Sequence, residues 1–162
     1  MRENNLILLK KDRKKPKEGD LFVLEPSEGL YCFGKVIISN VESKDSFING
    51  MYLIYIYDIF SEEKQVPQEL DPDKLMFAPV VVNTQLWLKG FAETITNIAV
   101  TEKEKNLEYG FWHVGKEIYV DIHGDRLGYI PKISGIFGLG SYGIIGKEIH
   151  KAMERRKVFP HQ

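Results

Sequence analysis

Aliphatic and aromatic residues recur along this chain in short runs, and most of the runs have the two-residue period or unbroken apolar character of β-strands. Gly19-Asp20 turns the chain into the first of them, Leu21-Phe22-Val23-Leu24, and Pro26-Ser27-Glu28-Gly29 supplies turn residues. Tyr31, Phe33, Val36 and Ile37 then build the return strand of a hairpin. Asn49-Gly50 is a strong turn dipeptide, and it leads into Met51-Tyr52-Leu53-Ile54-Tyr55-Ile56-Tyr57-Asp58-Ile59-Phe60, the strongest strand signal in the chain. The run lacks polar alternation, so both of its faces are predicted to be covered, as in a barrel or in a sheet packed against a helix.

Further on the strand signals weaken. Lys74-Leu75-Met76-Phe77 and Val80-Val81-Val82 read as one strand interrupted at Ala78-Pro79, a position that suits a sheet edge or a bulge. Residues 85–91 run into 92–100, where Ile95, Ile98 and Val100 fit a strand or an irregular segment, and the charged residues 101–106 predict a loop. Residues 109–114 and 117–122 are two short strands, the second turning at His123-Gly124-Asp125-Arg126 into Leu127-Gly128-Tyr129-Ile130. From 141 to 156 the period changes: Ile144, Ile145, Ile149, Ala152 and Met153 recur at helical spacing, with Lys147, Glu148, Lys151 and Glu154 opposite. The expected fold is mostly β (a β-rich α+β domain), an antiparallel, barrel-like or strongly twisted sheet with one C-terminal helix. Residues 1–16 are expected to be a basic, partly flexible lead-in and 17–162 a single domain.

Charge changes this picture by being unevenly placed. The net charge of −1 conceals +5 over residues 1–17, −8 over 18–100 and +2 over the rest. The basic run Lys10-Lys11-Asp12-Arg13-Lys14-Lys15-Pro16-Lys17 has no interleaved aromatic and reads as a solvated lead-in, so nucleic-acid binding is not expected of it. Lys151, Arg155, Arg156 and Lys157 end the helix, where positive charge suits its dipole. Glu62, Glu63, Glu69, Asp71 and Asp73 cluster between two apolar segments; they form either a solvated loop or a docking surface that draws in a cationic partner. Cys32 is the only cysteine, which excludes an intramolecular disulfide, suits a reducing compartment such as the cytoplasm, and reads as a small buried hydrophobe between Tyr31 and Phe33. Leu6-Ile7-Leu8-Leu9 is far shorter than a membrane span or the core of a signal peptide, so neither membrane insertion nor export is expected.

Little in the chain points to catalysis, and no catalytic residue or cofactor is predicted. Gly138-Leu139-Gly140-Ser141-Tyr142-Gly143 satisfies the spelling G-x-G-x-x-G, but too few residues follow for the βαβ unit that dinucleotide binding requires. Gly146-Lys147 has neither the leading glycine nor the Ser/Thr of a phosphate loop. Asp121, His123 and Asp125 alternate, and on an extended strand would share a face fit for a divalent metal or for acid/base work; a hairpin tip at His123-Gly124-Asp125 would break that face. Tyr55 and Tyr57, beside Asp58, read as packing residues with their hydroxyls at the rim of the core.

Four segments, KEGDLFVLEPSEGLYCFGKVI from Lys17, WLKGFAETI from Trp87, YVDIHGDRLG around Asp121 and GLGSYGIIGKEIHKAM ending at Met153, occur in an order that resembles the immunity protein 26 family of bacterial polymorphic toxin systems. The resemblance implies a mostly β, cytoplasmic, non-enzymatic inhibitor encoded beside a secreted or contact-delivered toxin, as in contact-dependent inhibition. Its partner would be the cognate toxin's C-terminal domain, a nuclease being one such domain, with the active or substrate-binding site occluded. The resemblance assigns no individual toxin-binding residue; the acidic positions Glu62, Glu63, Glu69, Asp71 and Asp73 come from charge alone. A small β-barrel nucleic-acid-binding module is the alternative reading.

Overall fold

The computed structural model describes residues 2–3 and 5–158, Arg2 and Glu3 by backbone only. Two short strands, β1 (Arg2–Glu3) and β2 (Leu6–Ile7), pair antiparallel. The expected hairpin follows as β3 (Asp20–Ser27) and β4 (Leu30–Ile38), then β5 (Tyr52–Ile56) and β6 (Val80–Val82). Beyond these lie α1 (Gln85–Leu88), β7 (Glu93–Asn97), α2 (Glu102–Lys105), β8 (Gly110–His113), β9 (Ile118–Val120), β10 (Ser134–Ile136) and α3 (Tyr142–Arg155). One antiparallel sheet has the order β6-β5-β4-β3-β7 and a smaller one β10-β8-β9, in which β10 runs parallel to β8. The β-rich architecture with a C-terminal helix is as expected, but among the described residues the five-stranded sheet stays open between β6 and β7 and no barrel closes.

Strand β5 shows why polar alternation is missing. Tyr52, Ile54 and Ile56 face a cluster with Trp87, Phe91 and the α3 residues Ile145, Ile149, Ala152 and Met153. Leu53, Tyr55 and Tyr57 face a second cluster with Phe111, Val120 and Ile122 of the smaller sheet. The five-stranded sheet is therefore sandwiched between a helical layer and a second sheet, and its side-chain period of two feeds two cores. The register of β3 against β4 shifts between Leu24 and Ser27, and this irregularity accommodates Pro26, which has no N–H to give. Opposite Phe22, Gly34 leaves room for the ring: a Cβ there would sit 2.5 Å from Phe22 Cζ and 2.7 Å from Ile56 Cδ1. Gly34→Ala should lower the stability by about 1–3 kcal/mol through overpacking, read as a lower urea midpoint at unchanged slope.

Several local expectations are corrected. Residues 74–77 form no strand; only an isolated bridge of Leu75 to Tyr57 remains, and β6 begins after the buried Pro79. Residues 101–106 are not a loop but the capped turn α2, and residues 127–130 make no strand beyond the Val120 to Arg126 bridge. In α3, capped by the Ser141 hydroxyl accepting from Ile144 N at 3.2 Å, the apolar face is the predicted one except that Ile144 is 52 % exposed. The N-terminal segment lies against the domain: Leu6 is fully buried, Leu9 N donates to Gly90 O at 2.7 Å, and Asp12 N donates to Trp87 O at 3.0 Å.

Candidate functional site

The acidic residues predicted from charge lie on the connection between β5 and β6. Glu62, Glu63, Glu69 and Asp73 are exposed and Asp71 is half-buried. Backbone bonds between Tyr31 and Ser61, 2.7 and 2.9 Å, hold the start of the connection to the main hairpin, and Lys64 pairs with Glu93 of β7 at 2.7 Å. Towards its end, Asp71 Oδ1 accepts from Asp73 N at 2.9 Å, and Lys103 Nζ lies 3.2 Å from Asp71 and 2.9 Å from Asp73. The Asp73 N–H and then the Lys103 ammonium hold the Asp71 carboxyl below its ordinary range, while both carboxylates push the lysine up. The structure thus gathers Asp71 and Asp73 around one lysine. Glu63 and Glu69 make no ion pair among the described residues.

What positions Lys103 is a buried polar network that sequence reasoning missed. Thr101 and Glu104 form a capping box: the Thr101 side chain accepts from Glu104 N at 3.1 Å, and Glu104 Oε1 accepts from Thr101 N at 2.9 Å. The same carboxylate meets Lys35 Nζ at 2.8 Å and accepts from the Tyr57 hydroxyl, while Tyr55 donates to the Glu104 carbonyl at 2.8 Å. Lys35 also donates to Ala99 O at 3.0 Å. Lys35 and Glu104 are each 1 % exposed, so the pair is fully withdrawn from water. Burial alone raises the Glu104 carboxyl, but the bonds from Lys35, Thr101 N–H and Tyr57 outweigh it and hold the group below its ordinary range. Burial likewise drives the Tyr55 and Tyr57 hydroxyls up, keeping them as neutral donors. Their hydroxyls therefore reach into this network and not to the rim. The spacing Thr-x-x-Glu at 101–104 was the available signal, since it is the wording of a capping box.

Where the acidic connection ends, an apolar groove begins. Phe77 to Val80 form one wall, Ser134 to Ile136 and Leu139 another, and Ile144 with Ile145 of α3 the third, around a cavity of about 390 Å³. Of these lining residues Ile136, Leu139 and Ile144 are exposed, and other exposed large apolar side chains, such as Phe47, Val114 and Ile130, lie elsewhere along the chain.

The other candidates resolve into structural roles. Asp121 Oδ1 accepts from both His123 N and Asp125 N, at 2.9 and 3.0 Å, which makes these residues a turn, as the hairpin-tip reading had it. His123 Nδ1 meets Glu42 O at 2.6 Å and Asp125 pairs with Lys44, so the three side chains do not converge. No group of three or more His, Cys, Asp or Glu among the described residues stands close enough to hold a metal. The glycine pattern at 138–143 leads into α3, and no strand follows that helix among the described residues. Cys32 is fully buried, and burial pushes its thiol well above the ordinary range. No helix among the described residues is long and apolar enough to cross a membrane.

This arrangement is one of surfaces: an anchored acidic connection running into an apolar groove, both carried on a sheet with a core on each face. No curated protein and no solved structure matches the chain. A family model does match, that of immunity protein 26, over residues 17–116, ending before the Asp121 and Gly138 segments that also carry the resemblance. The matched span is more than half of the chain, takes in β3 to β8 with the buried Lys35–Glu104 network, and on that ground this protein belongs to the immunity protein 26 family.

Proposed function

We propose that the protein neutralises a cognate toxin by binding its C-terminal domain and covering the active or substrate-binding site, without catalysis of its own, in the cytoplasm of the producing cell. The observation that carries this reading is the carboxylate set of exposed Glu62, Glu63, Glu69 and Asp73 with half-buried Asp71, on a connection anchored at both ends. An anchored loop with a net negative charge raises the encounter rate with a cationic surface and loses little entropy on docking. A nuclease domain that binds phosphates fits such a surface. The groove that follows at Phe77 to Val80 supplies apolar lining for the anchoring side chains in which affinity concentrates.

Two measurements test the reading. Co-expression with the toxin domain should yield a stable complex and abolish toxicity; undiminished toxicity with no complex would refute the immunity role for that pair. Within such a complex, replacing Glu62, Glu63 and Glu69 together with lysine should slow association by about tenfold or more at low salt, with a smaller change in dissociation. An unchanged association rate would remove this loop from the interface.

A further inference from the structure

We propose that residues 10–17, together with Lys89, form a surface for the phosphate backbone of nucleic acid, independent of the toxin-binding reading because it lies on a different segment. Read as sequence, the basic run is a solvated lead-in. The structure keeps these cations exposed, as that reading has them, and adds that the backbone of the segment is tied to the domain. Leu9 and Asp12 are tied by backbone bonds to Gly90 and Trp87, Pro16 is buried, and Lys17 N donates to Asp20 Oδ2 at 2.9 Å. Gly90 is the seat of the strap: it has φ +88°, and a Cβ on it would lie 3.1 Å from Lys11 N. That contact brings the exposed Lys89 beside the strap.

The cations so fixed lack internal counter-ions. Lys10, Lys11, Arg13, Lys14, Lys15, Lys17 and Lys89 are all exposed, and none forms an ion pair among the described residues. Elsewhere Lys35, Lys44, Lys64, Lys103, Lys105, Lys151 and Arg156 each have a carboxylate partner, while Lys74, Lys116, Arg126, Lys132, Lys147, Arg155 and Lys157 form no ion pair among the described residues but are not gathered on one eight-residue segment. The one acid of the strap, Asp12, turns its carboxylate to the Lys14 N–H at 2.9 Å. Holding like charges side by side on a fixed backbone is unfavourable until an external polyanion supplies the opposite sign.

The chemistry of the strap selects among polyanions. Pro16, which is buried, is the only apolar residue in 10–17, so there is no anchor for the desolvated centre of a protein interface and nothing to insert into a bilayer. Phosphate contacts need neither: they require cations on a scaffold and carry no sequence information. Eight residues span at most about 28 Å, enough to follow several phosphates along a strand.

Fluorescence anisotropy with a labelled single-stranded DNA of about 20 nucleotides, titrated with salt, tests the proposal. Binding is expected at a Kd of about 10⁻⁴–10⁻⁶ M near physiological salt, with log K falling about 0.7 per phosphate neutralised for each unit of log salt. Changing all seven cations to glutamine should weaken binding at least about tenfold and flatten the slope, whereas Lys116→Gln, Lys132→Gln and Lys147→Gln together should leave it as in the parent protein. If the sevenfold variant loses its circular-dichroism melting transition, Lys10→Gln, Arg13→Gln and Lys15→Gln together should flatten the slope by about 2. No binding at about 50 mM salt, an unchanged slope in the strap variants, or capture by phosphatidylserine vesicles but not by DNA would each overturn it.

Discussion

Glu104→Gln is expected to destabilise the protein by about 3–5 kcal/mol, because it leaves the Lys35 ammonium buried with no anionic partner. Lys35 would retain only the Ala99 carbonyl and a neutral amide in a site where both side chains are excluded from water. Lys35→Met should cost a similar amount from the other side, stranding the carboxylate with Tyr57 and Thr101 N. The double variant Lys35→Met, Glu104→Gln should recover much of either loss, since a buried pair replaced as a unit leaves no uncompensated charge. Urea midpoints of the two single variants and the double variant decide the matter; single losses below about 1 kcal/mol would mean that water reaches the pair.

Acid should act through the same group. Folding lowers the Glu104 carboxyl, so the unfolded chain takes up the proton more readily than the folded one. The stability it contributes is complete above the unfolded value, near the ordinary 4.5, and declines as the pH falls through the lowered folded value. The gap in melting temperature between parent and Glu104→Gln should accordingly narrow on acidification below that point.

Trp87→Ala carries the other large expected loss, about 3–5 kcal/mol. The indole is 1 % exposed, meets the Phe22 ring edge-on at 5.2 Å and the Tyr52 ring at 6.2 Å, and stands where the helical layer meets the five-stranded sheet. Its Nε1–H is buried without an acceptor among the described residues, a feature that itself costs about 1–3 kcal/mol. Trp87→Phe should therefore lose clearly less than Trp87→Ala, because it keeps a ring in the core and removes the unsatisfied donor. Equal losses in the two variants would show that the indole N–H contributes to stability.

The main hairpin, β5, the turn at Asp121 and α3 were legible in the residue pattern for a common reason. Each is specified by neighbours within a few positions: turn residues beside apolar runs, a period of two at 52–57, helical spacing at 145–153. The acidic residues were legible too, as charge on a polar connection. Lys35 was not. In the sequence it is a lysine in an apolar strand, and its partner lies 69 residues on, in a charged stretch that reads as solvent-facing.

The amino-acid sequence by itself determined the main hairpin, the central strand β5, the long helix and where charge accumulates, because periodicity and turn chemistry act over a few residues. Only the tertiary structure decided that the sheet stays open with a core on each face, that Glu104 is buried and Lys103 consequently clamps Asp71 and Asp73, and that the basic run is strapped to Gly90 and Trp87. Those outcomes depend on free energies between distant segments, where desolvation, ion pairing and backbone hydrogen bonding nearly cancel, and no local pattern encodes which of them prevails.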